Sequence, residues 1–295
     1  MDEKEAKAQQ TRIKRLATML STGLTNPASA IDALIAEMKL GEQRTAMWEG
    51  MHAIAAEGGQ EAPLAAAYKQ LTSGRRFEQL APAIQSQVLT HAAHFTLGVV
   101  GDPAGGERYF MRALEAQPDN SDVFTLLEGR FTARDDKPAL LALYGVVGRR
   151  PPVPAIKLAG TAANMMAQWP ASEPLSDEVC TGLGSLVPAS SSLLTSLEKH
   201  CEKTGRAALV IGVLERALAV EGISDKVGKD LRQHLLPLYP EKSGDQALPH
   251  IRALLEQDPK DTAARDAIRR LTLVPRVGEK LQAMLKEMRR QGHGV

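Results

Sequence analysis

At 295 residues the chain is long enough for one large domain or two ordinary ones, and 43% hydrophobic with 24% charged residues is the composition of a folded soluble protein. Its 36 basic and 35 acidic side chains leave a formal net charge of +1, which argues against a large phosphate-binding footprint. No window approaches the ~20 apolar residues of a membrane span, and MDEKEAKAQQTRIKRLATML at the start has no apolar core of signal-peptide length.

In chain order, stripes of apolar residues at i, i+3, i+4 and i+7 predict amphipathic helices. They run through Ile13, Leu16, Ala17 and Leu20; Ile31, Leu34, Ile35 and Met38; Leu64, Ala67, Tyr68 and Leu71; Val210, Val213, Leu214 and Ala217; and Leu281, Met284, Leu285 and Met288. Breakers separate them at Asn26-Pro27, Gly58-Gly59, Ser73-Gly74, Gly101-Asp102-Pro103 and Gly244-Asp245. Aromatic residues are only 4%, Ala and Leu are frequent, and no segment alternates with period two. These features predict an all-α protein.

The stretch ERYFMRALEAQPDN, 107–120, returns as PHIRALLEQDPKD, 249–261, and in part as ERALAVEG, 215–222. The breakers Pro118, Pro152, Pro188, Gly222 and Pro259 follow one another at 34 to 37 residues. A period of this length in a helical chain predicts stacked helix pairs, because one pair cannot bury its apolar stripe alone. The unit SDVFTLLEGRFTARDDKPALLALYGVVGRRPP resembles the tetratricopeptide repeat family at Phe124, Leu127, Phe131, Tyr144 and Pro152. It departs from that pattern at Glu128, Leu140 and Val147, where small residues are expected. Gly106, Phe110, Ala113 and Pro118 fit the second helix of the preceding unit, and Leu231, Leu238, Ala247, Ile251 and Pro259 fit the last full one. The resemblance is best over 86–275. It implies a right-handed α-solenoid of stacked antiparallel helix pairs, about seven in all. Divergent helical repeats would occupy 1–85, and a capping helix with a tail would occupy 276–295.

Catalytic and metal signatures are weak. GDPAGGER, 101–108, has the GxxxxG spacing of a phosphate loop, but Glu107 and Arg108 stand where Lys and Ser or Thr belong, so it reads as a helix–helix turn. His91 and His94 share a helix face without an evident third ligand, and no HExxH or GxSxG is present. SSSLL at 190–194 reads as a helix start. MWEGM and ANMMAQW read as core filler, with Trp169 closing a helix before Pro170. Cys180 and Cys201 have no CxxC spacing and read as free thiols in a reducing, cytoplasmic compartment.

No catalytic residue, metal or cofactor is therefore expected. The resemblance implies a protein-interaction scaffold or adaptor whose first helices line a concave groove holding a partner protein or peptide. On that basis His91, Phe95, Asp122, Thr125, Lys229 and Arg232 are the partner-binding candidates, with Lys229 and Arg232 placed to take an acidic segment or a terminal carboxylate. Two other readings compete. LVPRVGEKLQAML, 273–285, resembles the helix–hairpin–helix of DNA-binding proteins at Gly278 and Lys280, with Arg276 in place of the first glycine and Arg269, Arg270, Arg289 and Arg290 nearby. The chain could also be a helical subunit of a larger enzyme. The Ala-, Arg- and Gly-rich composition hints at a GC-rich bacterial genome.

Overall fold

The computed structural model describes residues 27–39, 45–170 and 172–293. The stripe at Ile13–Leu20, the Asn26 cap and the last two residues lie outside them. Among the described residues there are sixteen α-helices and no strand. Two compact units divide the chain at 130/131. The boundary expected at 85/86 falls inside a helix, Pro82–Phe95, as 130/131 falls inside Ser121–Ala133.

The first unit holds α1 (Pro27–Lys39), α2 (Thr45–Glu57), α3 (Glu61–Thr72), the single turn α4 (Arg75–Glu78), α5 (Pro82–Phe95) and α6 (Pro103–Ala116). It also holds the first part of α7 (Ser121–Ala133). The predicted stripes face inward: Ile31, Leu34 and Ile35 of α1 and Leu64, Ala67 and Tyr68 of α3 are all buried. Helix α1 packs on α3 and α5, α3 on α2 and α5, and α5 on α6. A π-helical turn, Thr96–Val100, extends α5 and stops at Gly101, whose φ of 72° is the left-handed conformation that favours glycine. Asp102 then caps α6 by accepting from the Gly105 amide at 2.9 Å. A Cβ on Gly106 would lie 2.9 Å from Leu97 Cβ, so GDPAGG is a cap plus a close crossing of α6 on α5.

The second unit holds the end of α7, then α8 (Lys137–Val147), α9 (Ala155–Ala167), α10 (Asp177–Leu183), α11 (Ser191–Lys203) and α12 (Leu209–Leu218). It continues with α13 (Asp225–Leu235), α14 (Leu248–Gln257), α15 (Thr262–Thr272) and α16 (Pro275–Arg290). Three 3₁₀ segments, Gly184–Ala189, Leu236–Leu238 and Glu241–Ala247, intervene. The last of these occupies Gly244-Asp245, where the sequence predicts a break. Side-chain caps recur at helix starts: Asp136 on the Ala139 amide, Ser176 on Val179, Ser224 on Val227 and Asp261 on Ala264. Ser190 instead bonds Ser192 and makes no side-chain cap for α11.

The spaced breakers have a common place in this order. Pro118, Pro152, Gly222 and Pro259 each follow an even-numbered helix, α6, α8, α12 and α14, and Pro188 lies in the 3₁₀ segment that prolongs α10. Within the second unit α8 packs on α10, α10 on α12, and α9 on α11, while chain neighbours also touch. Glycine makes the closest of these approaches. A Cβ on Gly182 would meet the Gly145 backbone at 3.2 Å, and one on Gly184 would run into the Val213 carbonyl. Phe124, Leu127, Phe131, Tyr144, Leu231, Ala247 and Ile251 are buried as the repeat pattern implies. Leu238 is 38% exposed, because it sits in the 3₁₀ turn beyond α13 and not on a helix face.

Candidate partner-binding site

His91 and Phe95 are on α5 of the first unit, and the structure puts them in an aromatic layer. Trp48 of α2 stacks on the His91 ring at 4.6 Å between centroids and 3° between planes. Phe95 is fully buried against His52 and Tyr68, at 4.9 and 5.9 Å. Phe95 therefore cannot meet a partner: it lies on the inward face of α5, one turn beyond His91. His91 is half-buried, with the Trp48 ring against it, and not a free surface group. His52 Nε2 is hydrogen-bonded to the Tyr68 hydroxyl at 2.8 Å, and burial raises that phenol well above its usual range.

This layer titrates in a readable way. Burial first, and the His94 ring second, lower His52 to about 4. Burial, then His52 and His94, lower His91 to about 3. Both folded values lie below the unfolded value of about 6.5, so the unfolded chain takes up protons that the folded one refuses. The stability tied to these neutral rings is whole above pH 6.5 and is lost as pH falls from there toward 4 and 3. Denaturant titrations at pH 7, 6 and 5 are expected to show a falling midpoint, with a slope from His52 alone that steepens toward a limit of about 1.4 kcal/mol per pH unit as pH falls below 6. His91→Phe keeps a ring on Trp48 and should flatten the dependence; an unchanged slope would refute the assignment.

Asp122 and Thr125 are exposed on α7, one turn apart, and the Thr125 hydroxyl donates to the Ser121 carbonyl at 2.7 Å. Among the described residues neither shares a hydrogen bond, ion pair or ring contact with His91 or Phe95.

Lys229 and Arg232 lie on α13 of the second unit, and their surroundings differ. Lys229 Nζ is 3.3 Å from Asp258 and 3.7 Å from Asp261. Asp261 is itself buried, caps α15 and accepts from Gln233 Nε2 at 2.6 Å. The Lys260 amide and then Lys229 hold the Asp258 carboxyl below its usual range. Lys229 thus fastens α13 to the α14–α15 turn, and its charge is not free for an acidic partner. Arg232 makes no ion pair among the described residues; its guanidinium lies over the bare backbone of Gly228.

One turn further along, Gln233, Leu236 and Pro237 face Ala263, Asp266, Ala267 and Arg270 of α15 across a cleft of about 320 Å³. Its lining is mainly apolar, with Gln233, Asp266 and Arg270 as the polar members. Arg270 donates from both terminal nitrogens, to the Leu236 carbonyl at 2.7 Å and the Pro237 carbonyl at 3.1 Å, and so closes the end of α13. Its Nε is buried with no hydrogen-bond partner. In the sequence Arg270 is one of several surface arginines; no local pattern marks its contact with residues more than thirty positions away. Set beside known proteins, the chain matches no family model, no curated protein and no solved structure.

A second groove of about 490 Å³, more polar, is lined by Asp135, Lys137, Asn164, Gln168, Trp169 and Glu173 among others. Trp169 follows the end of α9, and its indole donates to the Glu173 carbonyl at 2.6 Å. The DNA-binding resemblance of 273–285 meets a specific obstacle at Gly278. That amide donates to the Val274 carbonyl inside α16, and a Cβ there would lie 2.8 Å from the Thr272 carbonyl. Packing accounts for the glycine, and Lys280 is paired with Asp245. Among the described residues no group of three His, Cys, Asp or Glu could hold a metal ion, and no helix is long and apolar enough to cross a membrane.

Proposed function

We propose that this protein is a non-catalytic scaffold that holds an extended segment of a partner protein against the odd-numbered helices of the second unit, with the α13–α15 cleft as its main contact. In this reading the odd and even helices form two rows of a right-handed α-solenoid resembling tetratricopeptide repeats, in a reducing, cytoplasmic setting. The packing of α8 on α10, α10 on α12 and α9 on α11 supports two rows, as does the recurrence of breakers after even helices.

The observation that carries the reading is the open cleft of about 320 Å³ between α13 and α15, whose lining is mainly apolar. Arg270, whose terminal nitrogens hold the Leu236 and Pro237 carbonyls, brings a positive charge to the lining. Arg232 adds positive charge on α13, so the favoured segment is acidic.

The test is selection of peptides from a random displayed library on the full chain. Enriched peptides should carry acidic residues. Ala263→Glu puts bulk and negative charge at the half-exposed cleft mouth and should weaken their binding by about tenfold, or ~1.4 kcal/mol. Lys286→Glu on the exposed face of α16, an even-numbered helix, should not, and both variants should melt as the parent does. If no sequence is enriched, or if Ala263→Glu binds as the parent does, the reading is wrong.

A further inference from the structure

We propose that the groove beside Trp169 is a binding site for a neutral oligosaccharide, with the indole as its stacking platform. The groove of about 490 Å³ lies wholly within the second unit and is lined by the α7–α8 turn, one face of α9 and the turn that follows α9. No residue lines both this groove and the α13–α15 cleft.

Of the chain's two tryptophans, Trp48 is fully buried, whereas Trp169 is half-exposed and lines the groove. Its indole N–H is already committed to the Glu173 carbonyl at 2.6 Å. The Trp169 amide donates to the Met166 carbonyl at 3.1 Å and the Glu173 amide to the Pro170 carbonyl at 3.2 Å. The ring is thereby fastened to backbone that is itself bonded, and an indole has no second polar group. What it offers a ligand is its carbon face. That face is the negative side of the ring quadrupole, and the C–H bonds on one side of a pyranose ring are its weakly positive counterpart.

The polar groups around the platform suit hydroxyls. Thr161, Asn164 and Gln168 are all exposed at i, i+3 and i+7, along one face of α9 and its end. The side-chain amides of Asn164 and Gln168 make no hydrogen bond among the described residues, and neither does the Glu173 carboxylate. An amide brings two donors and an acceptor, which matches a sugar hydroxyl that donates and accepts at once. The Thr161 hydroxyl donates to the Lys157 carbonyl at 3.0 Å and keeps its oxygen as an acceptor. The charged members of the lining, Asp135, Glu173 and Lys137, nearly cancel, and Lys137 Nζ is 3.9 Å from Asp135. A neutral polyol therefore fits this lining better than an ion.

Asp135 supplies an independent observation. Its φ of 50° is the left-handed conformation that favours glycine, and it alone has a positive φ among the described non-glycine residues. The Asp136 amide donates to the Phe131 carbonyl at 2.9 Å across it, closing α7 in the form that a glycine ordinarily serves. The Asp135 side chain is 83% exposed, and its one ion pair is the long one to Lys137. The turn would be better made with glycine, so the carboxylate in the groove lining is kept at a cost to the backbone.

The test presents the full chain, fluorescently labelled, to an array carrying maltohexaose, cellohexaose, xylohexaose and chitohexaose beside sialylated and sulfated glycans. Affinity for the neutral hexaose bound best is then measured by calorimetry. Binding of at least one neutral hexaose is expected, with acrylamide quenching of the tryptophan emission reduced in the complex. Trp169→Ala and Asn164→Ala should each weaken it about tenfold. Asp135→Gly should weaken it about fivefold while melting no lower than the parent, so its loss of binding cannot be a loss of fold. Ala263→Glu should bind the sugar as the parent does, which keeps this site distinct from the peptide-binding cleft. Binding of no neutral hexaose, binding of charged glycans alone, or unchanged affinity in both Asp135→Gly and Asn164→Ala overturns the proposal.

Discussion

Phe110→Ala is expected to lower the stability of the first unit by about 3–5 kcal/mol, the range for deleting a large aromatic side chain from a core that relaxes only partly. Phe110 is fully buried on α6 and meets the His94 ring edge-on at 5.0 Å. Its neighbours are held from several directions. Ala113 and Leu114, also fully buried, lie one turn on, and Gly106 fixes how closely α6 approaches the end of α5. The cavity left by alanine cannot close by a simple helix shift, because such a shift would drive Gly106 into Leu97. On a unit of this size the loss corresponds to a fall in melting temperature on the order of 10 °C. A fall of under a degree or two would mean that Phe110 is not packed as described.

Gly184→Ala is expected to cost about 3 kcal/mol, although it adds a single methyl group. A Cβ there meets the Val213 carbonyl, with Val213 Cα and Arg216 Cβ each at 3.1 Å. Overpacking usually costs about 1–3 kcal/mol. The upper end is expected because the obstacle is backbone, which has no rotamer to change. Gly160→Ala is the matched control. Gly160 lies inside α9, and a Cβ there meets nothing within 4 Å. The same substitution should stabilise the chain at Gly160 by about 0.5–1 kcal/mol, through helix propensity alone. Denaturation midpoints of opposite sign are the expected outcome. Equal midpoints would remove close backbone approach as the reason for Gly184.

Much of the helix order could be read from the residues, since an amphipathic stripe reports its own inward face: Leu64, Ala67 and Tyr68 are buried as their spacing predicts. Breakers and caps act through local backbone geometry, and Asp102, Asp136 and Asp261 do at helix starts what their chemistry suggests. The candidate site was less legible, because a stripe does not say what lies opposite. Phe95 turned inward toward Tyr68, on a helix still further back in the chain. Lys229 is neutralised by Asp258 and Asp261, about thirty residues on, so reversing its charge would disturb the fold as well as any partner. The weakly matching stretch from Pro152 to Pro188 hid its packing in glycines: Gly182 and Gly184 bring backbones together where the repeat pattern looks for small side chains. Arg270 depends on carbonyls contributed by another helix, and no spacing rule reaches that far.

One feature of the second unit bears on how quickly it forms. Its closest packing joins helices that are neighbours in the chain or one helix removed. Contacts of this kind close short loops, so little chain entropy is lost before each is rewarded. Folding can begin at any adjacent pair and spread in both directions. A chain emerging from the ribosome could therefore secure α8 on α10 while α16 is still unmade.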